Sequence, residues 1–240
     1  MNCPQCGILN AVENEFCSAC GGRLRATGGP PAVAPVARVF RNPKRLTWWL
    51  QSLLIGIIVV EGGLAAFQLL QLRAGGAVEA DNLVTTVLGT GLIMAYIATI
   101  VMFCVWTYRA NANIHALGAA NLRFSPGWAV GWYFVPIANL WKPYQVMNEI
   151  WRASKSPNRW YNEASSSIVG WWWFWFVISN VQVSIGASPQ QEALESAISP
   201  SGLISIVLDV IAAVLAFRVV KRVGLFQAEA SERSVSAVFA

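Results

Sequence analysis

Charged side chains are scarce in this chain of 240 residues. Asp, Glu, Lys and Arg make up 12% of it, whereas they make up about 25% of a typical soluble domain. Hydrophobic residues make up 55%. This balance excludes an ordinary soluble globular domain and favours a membrane protein. The net charge of +5 comes from Lys and Arg scattered in small groups. Because they form no single basic face, the charge disfavours a nucleic-acid partner.

Two further absences limit the function. The chain has one histidine and lacks the HExxH, GxSxG and paired-Asp patterns that supply a catalytic base or nucleophile. The sequence therefore predicts no catalytic residue and no enzyme activity. The first thirty residues are polar and have no apolar core, so no cleavable signal peptide is predicted and the N-terminus is expected to be retained.

Four of the five cysteines lie in the first twenty residues. Cys3, Cys6, Cys17 and Cys20 have the spacing C-x2-C-x10-C-x2-C, which is typical of a closed tetrahedral zinc site. Two disulfides in an exported segment are the weaker alternative. Because so short a segment cannot bury much apolar surface, metal binding would supply its folding free energy. We predict a zinc ribbon over residues 1–25 with a structural zinc ion. The motifs CPQCG and FCSACGG resemble those of short zinc ribbons at the N-termini of bacterial membrane proteins.

A Pro/Gly/Ala-rich linker with a basic flank, residues 26–44, precedes the apolar part of the chain. Within residues 45–225, four apolar runs are long enough to cross a bilayer as helices. A tail, residues 226–240, follows them. The predicted spans are residues 48–72, 83–108, 168–186 and 203–220.

The middle segment, residues 127–152, is predicted to be re-entrant or interfacial. Its apolar part is too short for a comfortable span and is broken by Pro136 and Asn139. Its second half has helical amphipathicity, typical of a helix lying at the interface. The apolar face carries Tyr144, Met147, Ile150 and Trp151, and the polar face carries Lys142, Gln145, Glu149 and Arg152.

The placement of basic residues indicates the topology. With four spans, sixteen of the seventeen Lys and Arg fall on one side, and Arg73 alone falls on the other. Cytoplasmic loops carry such an excess. A fifth crossing would export Arg152, Lys155 and Arg159. We therefore predict an all-α polytopic membrane protein with four transmembrane helices and both termini in the cytoplasm.

Polar residues inside the apolar runs are candidate sites. Glu61 and Asp209 lie near the middle of their spans, where an unpaired charge is costly. They are interpreted either as protonated, hydrogen-bonded groups or as a proton or cation relay. The helix break from Pro136 to Asn139 leaves backbone carbonyls free, and Arg109 or Asn113 could donate hydrogen bonds to them. Alternatively, that break forms the floor of a pocket.

The stretch WTYRANANIHALGAANLRFSPGWAVGWYFVPIANLWKPYQVMNEIWRAS, residues 106–154, resembles the signature of a bacterial family of multi-pass membrane proteins catalogued as a domain of unknown function. The resemblance covers roughly residues 45–225. Members of that family often carry an N-terminal zinc ribbon. The resemblance implies this architecture and a location in a bacterial inner (cytoplasmic) membrane. It implies no particular activity.

Three functional hypotheses follow from these patterns. The first is a non-enzymatic module for anchoring, sensing or interaction, whose tethered ribbon docks a protein partner at the cytoplasmic face. The second is a small proton- or cation-coupled transporter or channel that uses Glu61 and Asp209, as a homo-oligomer because four helices enclose little volume. The third is an intramembrane lipid-modifying enzyme. In all three, membrane lipids surround the helices.

Overall fold

The structure is a computed structural model, and it describes residues 2–3, 7–11, 14, 16–20, 22, 24, 39–74, 82–186 and 200–236. The chain divides into two compact units, residues 1–37 and residues 38–240.

The first unit contains a tight backbone turn after its first cysteine. Asn2 and Leu9 form an antiparallel bridge. Between them, the Gly7 amide donates to the Cys3 carbonyl at 2.8 Å, and the Cys3 amide donates to the Ile8 carbonyl at 2.9 Å. Gly7 has a φ of +73°, a conformation that glycine adopts readily because it has no Cβ. The turn therefore depends on a glycine at this position.

The described part of the second unit is helical and contains no strand. This confirms the all-α prediction for the apolar part of the chain. Each of the four predicted spans lies within one long helix. The helices are α1 (Lys44–Ala74), α2 (Asn82–Ala116), α3 (Pro126–Gly131), α4 (Lys142–Lys155), α5 (Ser167–Gly186) and α6 (Pro200–Ser236).

Three of these helices are long and apolar enough to cross a membrane. The segments are Lys44–Phe67 in α1, Gly89–Ala116 in α2 and Leu203–Ser234 in α6. Each exceeds the roughly 20 residues that a helix needs to cross the hydrocarbon layer. The fourth predicted span coincides with α5, which is 20 residues long.

Helix α6 packs against α1, α2, α4 and α5. Its contact with α1 is close at Gly224, where an added Cβ would lie 3.0 Å from the hydroxyl oxygen of Thr47. The indole N–H of Trp106 on α2 donates to the same hydroxyl oxygen at 3.1 Å. Three helices therefore meet at Thr47, and a glycine on α6 permits the approach.

The chain between α3 and α4 is broken by a three-residue turn. Ile137 has a φ of +65° and a ψ of −55°, and the Ala138 amide donates to the Pro136 carbonyl at 2.7 Å. This is a γ-turn of the rare, strained kind with positive φ. A β-branched residue in this region is an outlier. The break predicted at Pro136 to Asn139 is therefore a defined turn.

Helix α4 buries one face inside the protein. Val146, Met147, Ile150 and Ala153 are fully buried, and α4 packs against α2 and α6. Glu149, assigned to the polar face by its periodicity, is buried as well. The buried face of α4 thus includes one acidic side chain.

The Glu149 carboxylate accepts hydrogen bonds from the backbone amides of Arg123 at 2.9 Å and Phe124 at 3.2 Å. Burial raises the pKa of Glu149, while these two hydrogen bonds and the nearby guanidinium groups of Arg123 and Arg152 act in the opposite direction. The carboxylate thereby fixes the loop before α3 onto α4.

Candidate functional site

Three of the four predicted zinc ligands lie together in the first unit. The sulfur atoms of Cys3, Cys17 and Cys20 all lie within 4.8 Å of one another, and the Cys3 and Cys20 sulfurs are 3.6 Å apart. Four thiolates at the usual zinc–sulfur distance in a tetrahedron lie about 3.8 Å apart. Cys6, the fourth predicted ligand, lies outside the described residues. The sulfur atoms of these three cysteines can hold a metal ion.

A buried asparagine supports this cluster. The Asn10 side-chain amide donates to the Cys17 sulfur at 3.3 Å and to the Ile8 carbonyl at 2.8 Å, and its oxygen accepts from the Ser18 amide at 2.9 Å. Hydrogen bonds of this kind orient metal ligands and tune their basicity. Asn10 was missed because cysteine spacing carries no information about the residues that contact the ligands.

The second unit contains a cavity of about 610 Å³ among the long helices. Helices α1, α2, α5 and α6 form its walls, and the segment between α3 and α4 contributes Tyr133, Phe134 and Asn139. Most of the lining is apolar or aromatic. The volume lies within the range of about 300–1,000 Å³ that is usual for small-molecule sites.

Two carboxylates, one on α1 and one on α6, line this cavity. Glu61 on α1 is buried, and the hydroxyl of Tyr96 on α2 donates to one of its oxygens. Asp209 on α6 and Ser179 on α5 both line the cavity, and the Ser179 hydroxyl donates to the Phe176 carbonyl at 3.1 Å. The two carboxylates are close enough for their charges to interact. The fold therefore brings together two acids that are 148 positions apart in the sequence.

Several buried polar atoms among the cavity-lining residues have no hydrogen-bond partner within the described part of the chain. They are the second carboxylate oxygen of Glu61, the hydroxyl of Tyr133 and the side-chain oxygen of Asn139. Buried polar groups are normally paired. A buried polar group without a partner is costly, so these atoms favour a ligand or water in the cavity.

The remaining candidates, Asn113 and Arg109, do not line the cavity. The Asn113 side chain is buried and bonds to the Arg41 backbone and to the Gln227 side chain. Arg109 is partly exposed. Next to the helix break, the indole N–H of Trp173 donates a hydrogen bond to the Leu140 carbonyl at 2.8 Å. Arg109 or Asn113 was expected to donate the hydrogen bond here.

The cavity combines apolar walls, two neighbouring acids and hydrogen-bonding groups. Such a site can bind a small molecule that offers positive charge or hydrogen-bond donors and is otherwise apolar, because the acids would then be paired. The single histidine, His115, is not among the lining residues. Cys104 is a lining residue, and its thiol has no histidine in the lining to act as a base.

The helical fold and three helices apolar enough to span a membrane are the features of a membrane protein. The profile of the family described as Domain of unknown function (DUF4328) matches residues 69–224, and the chain belongs to this family. This confirms the family resemblance. The match includes Asn139 and Asp209, whereas Glu61 and the cysteine cluster lie before it. Comparisons with curated proteins and with solved structures find no match.

Proposed function

We propose that this protein is a membrane-embedded binding module without enzyme activity, whose cavity takes a small, largely apolar cation. The observation that carries the proposal is the pairing of Glu61 and Asp209 in one cavity with mainly apolar walls. Two like charges in such surroundings are unfavourable unless a proton or a cation accompanies them. A bound cation provides that compensation.

The proposed setting is the bacterial inner membrane, with α5 as the fourth span and both termini in the cytoplasm. The distribution of Lys and Arg supports this topology. The proposed metal ion in the first unit is a structural zinc held by Cys3, Cys6, Cys17 and Cys20. Held by four thiolates, the ion would have no open position for a substrate. The ribbon is then available to dock a protein partner.

The cavity is tested with tetraphenylphosphonium, an apolar cation, and the purified full-length protein in detergent. An electrode selective for this cation measures binding. Glu61→Gln and Asp209→Asn should each weaken binding roughly tenfold or more, since each removes a carboxylate that would pair with the charge of the cation. Glu229→Gln, at an exposed position on α6, is the control. Equal binding by all four proteins would contradict the proposal.

A proton- or cation-coupled transporter or channel is the second candidate. The hydrogen bond from Tyr96 to Glu61 favours it, because a hydroxyl beside a carboxylate can pass a proton. Proteoliposomes loaded with a pH-sensitive dye should then acidify when a proton gradient is applied. Flux should fall in Glu61→Gln and Asp209→Asn but remain in Glu229→Gln. Cation binding without any flux would leave the binding module as the function.

The zinc proposal is tested by elemental analysis of the purified protein. We expect about one zinc ion per chain, loss of zinc in Cys17→Ser, and full retention in Cys104→Ser, which changes a cysteine of α2. Asn10→Ala should keep the ligands but lower zinc affinity about 10–100-fold. Asn14→Ala is its control, since the Asn14 side chain makes no hydrogen bond within the described residues. Unchanged metal content in Cys17→Ser would rule out this site.

A further inference from the structure

A second, basic pocket lies outside the cavity, between the loop before α3 and the start of α4. It has a volume of about 400 Å³. Its charged lining residues are Arg123 and Lys142, and Gln145 and Ser125 add hydrogen-bonding groups. The pocket contains no acidic lining residue.

Arg123 and Lys142 are brought together by packing that is independent of any ligand. The buried Glu149 carboxylate holds the backbone amides of Arg123 and Phe124, and this fixes the loop on α4. Lys142 begins α4. Two basic residues that are 19 positions apart therefore line one pocket, on a firmly attached loop and a helix end.

Neither basic group forms a salt bridge within the described residues, although the Arg123 guanidinium is near enough to the buried Glu149 carboxylate to oppose the rise of its pKa. The salt bridge that the described residues contain joins Lys155 and Glu163. The Lys142 ammonium instead lies over the rings of Trp132 at 5.3 Å and Phe124 at 5.8 Å. Cation–π contacts orient an ammonium group without cancelling its charge. Both positive charges thus remain available to an anion.

One apolar residue of the pocket lining and two apolar residues of the segment before Lys142 are exposed. Trp128, a lining residue, is 55% exposed, and its ring lies 4.9 Å from that of Trp132. In the segment that leads to Lys142, Ile137 is 74% and Trp141 is 45% exposed. Exposed tryptophan beside basic residues is typical of the level of lipid headgroups. A soluble anion would not require this apolar border.

We infer that this pocket binds the phosphate group of an anionic phospholipid, with Arg123 and Lys142 on the phosphate oxygens and Trp128 against the glycerol and upper acyl chain. The phosphate would be a phosphodiester at the membrane surface. The inference concerns a site distinct from the acidic cavity, so it stands or falls independently of the function proposed above.

The test uses the full-length protein in neutral detergent and dioctanoyl-phosphatidylglycerol, with bound lipid counted by native mass spectrometry. Arg123→Gln combined with Lys142→Gln should raise the dissociation constant about 25-fold, since each basic residue near an anionic headgroup contributes roughly a factor of five. The matched control is Lys221→Gln with Arg222→Gln, two exposed positions on α6. It should bind as the wild type does.

Two further measurements distinguish a lipid phosphate from a soluble phosphate and test whether a variant loses binding because it misfolds. Trp128→Ala, at an exposed position, should weaken lipid binding severalfold and leave the thermal unfolding midpoint unchanged. Inorganic phosphate should not displace the lipid at equal concentration. Displacement by phosphate would make the ligand a soluble anion and overturn the lipid assignment. Equal losses in the pocket and control variants would also overturn it, because bulk surface charge would then explain the binding.

Discussion

The side-chain oxygen of Gln227 on α6 accepts a hydrogen bond from the Asn113 side chain on α2 at 2.9 Å. The Gln227 amide nitrogen donates to the Ala110 carbonyl at 2.9 Å and to the Ser154 hydroxyl on α4 at 3.0 Å. Gln227 is fully buried, and one side chain therefore connects three helices. Asn113 extends the network to the Arg41 backbone before α1.

Replacing Gln227 should destabilise the helical unit substantially. Gln227→Ala leaves partners on α2 and α4 buried without a hydrogen bond, so we expect a loss of about 3 kcal/mol in the free energy of unfolding. The measurement is denaturant unfolding in detergent micelles. Gln145→Ala, the same change at an exposed position of α4, should cost much less. A loss no greater than in this control would show that the network does not stabilise the protein.

The contact between α1 and α6 should not tolerate a methyl group at Gly224. In Gly224→Ala the added carbon would clash with Thr47, and we expect a loss of about 1–3 kcal/mol. Gly63→Ala on α1 is the matched control, because nothing lies within 4 Å of its added Cβ. That change should be neutral or stabilising by up to about 1 kcal/mol. Thermal unfolding of the two variants compares them directly, and equal stabilities would contradict the close approach.

The γ-turn at Ile137 should be relieved by glycine. Ile137 is 74% exposed, so Ile137→Gly loses little packing while it removes the steric cost of positive φ. We expect a gain of about 1 kcal/mol in stability. Leu140→Gly, at an exposed position nearby where φ is not positive, should instead lose about 0.5–1 kcal/mol. Destabilisation of both variants to the same extent would exclude strain at Ile137.

The loop after α4 should respond to acid through Glu163. Hydrogen bonds from Lys155 at 2.6 Å and Ser156 at 2.8 Å lower the pKa of Glu163 below its ordinary value of 4.5. A lowered pKa in the folded state stabilises the loop above the ordinary pKa, and this contribution is lost as the pH falls through the folded-state pKa.

Hydrogen–deuterium exchange of residues 157–163 measures this effect. At neutral pH, Glu163→Gln should exchange a fewfold faster than the wild type, whereas Glu229→Gln should match the wild type. The difference should vanish when both proteins are compared below the pKa of Glu163. Since an exposed ion pair contributes little to global stability, the unfolding midpoint should barely change. A difference that persists in acid would argue against Glu163 as the cause.

The helical architecture could be predicted because it depends on local composition. Runs of about 20 apolar residues leave few alternatives to a membrane helix, and each predicted span lies within a helix of the structure. The position of Glu149 could not be predicted in the same way. Periodicity places it on the polar face, and the distant loop amides of Arg123 and Phe124 make its burial favourable.

In the candidate sites too, local sequence patterns could identify residues, whereas contacts between distant parts of the chain could not be predicted. The cysteines could be found from their spacing, because metal geometry fixes it. Glu61 and Asp209 could be singled out as acids in apolar runs, but their common cavity depends on how α1 and α6 pack. Asn113 could also be singled out as a polar residue, but the sequence does not show that it lies outside the cavity, bonded to partners on α6 and before α1 that are far away along the chain.

Helix α6 is continuous from Pro200 to Ser236 and contributes to both the cavity and the hydrogen-bond network. Asp209 and Gln227 are 18 positions apart, which corresponds to about 27 Å along a helix at about 1.5 Å per residue. Over that length an unbroken α-helix acts as a stiff rod. Any tilt of α6 that accompanies filling of the cavity must therefore also displace Gln227, and through Ser154 it must pull on α4.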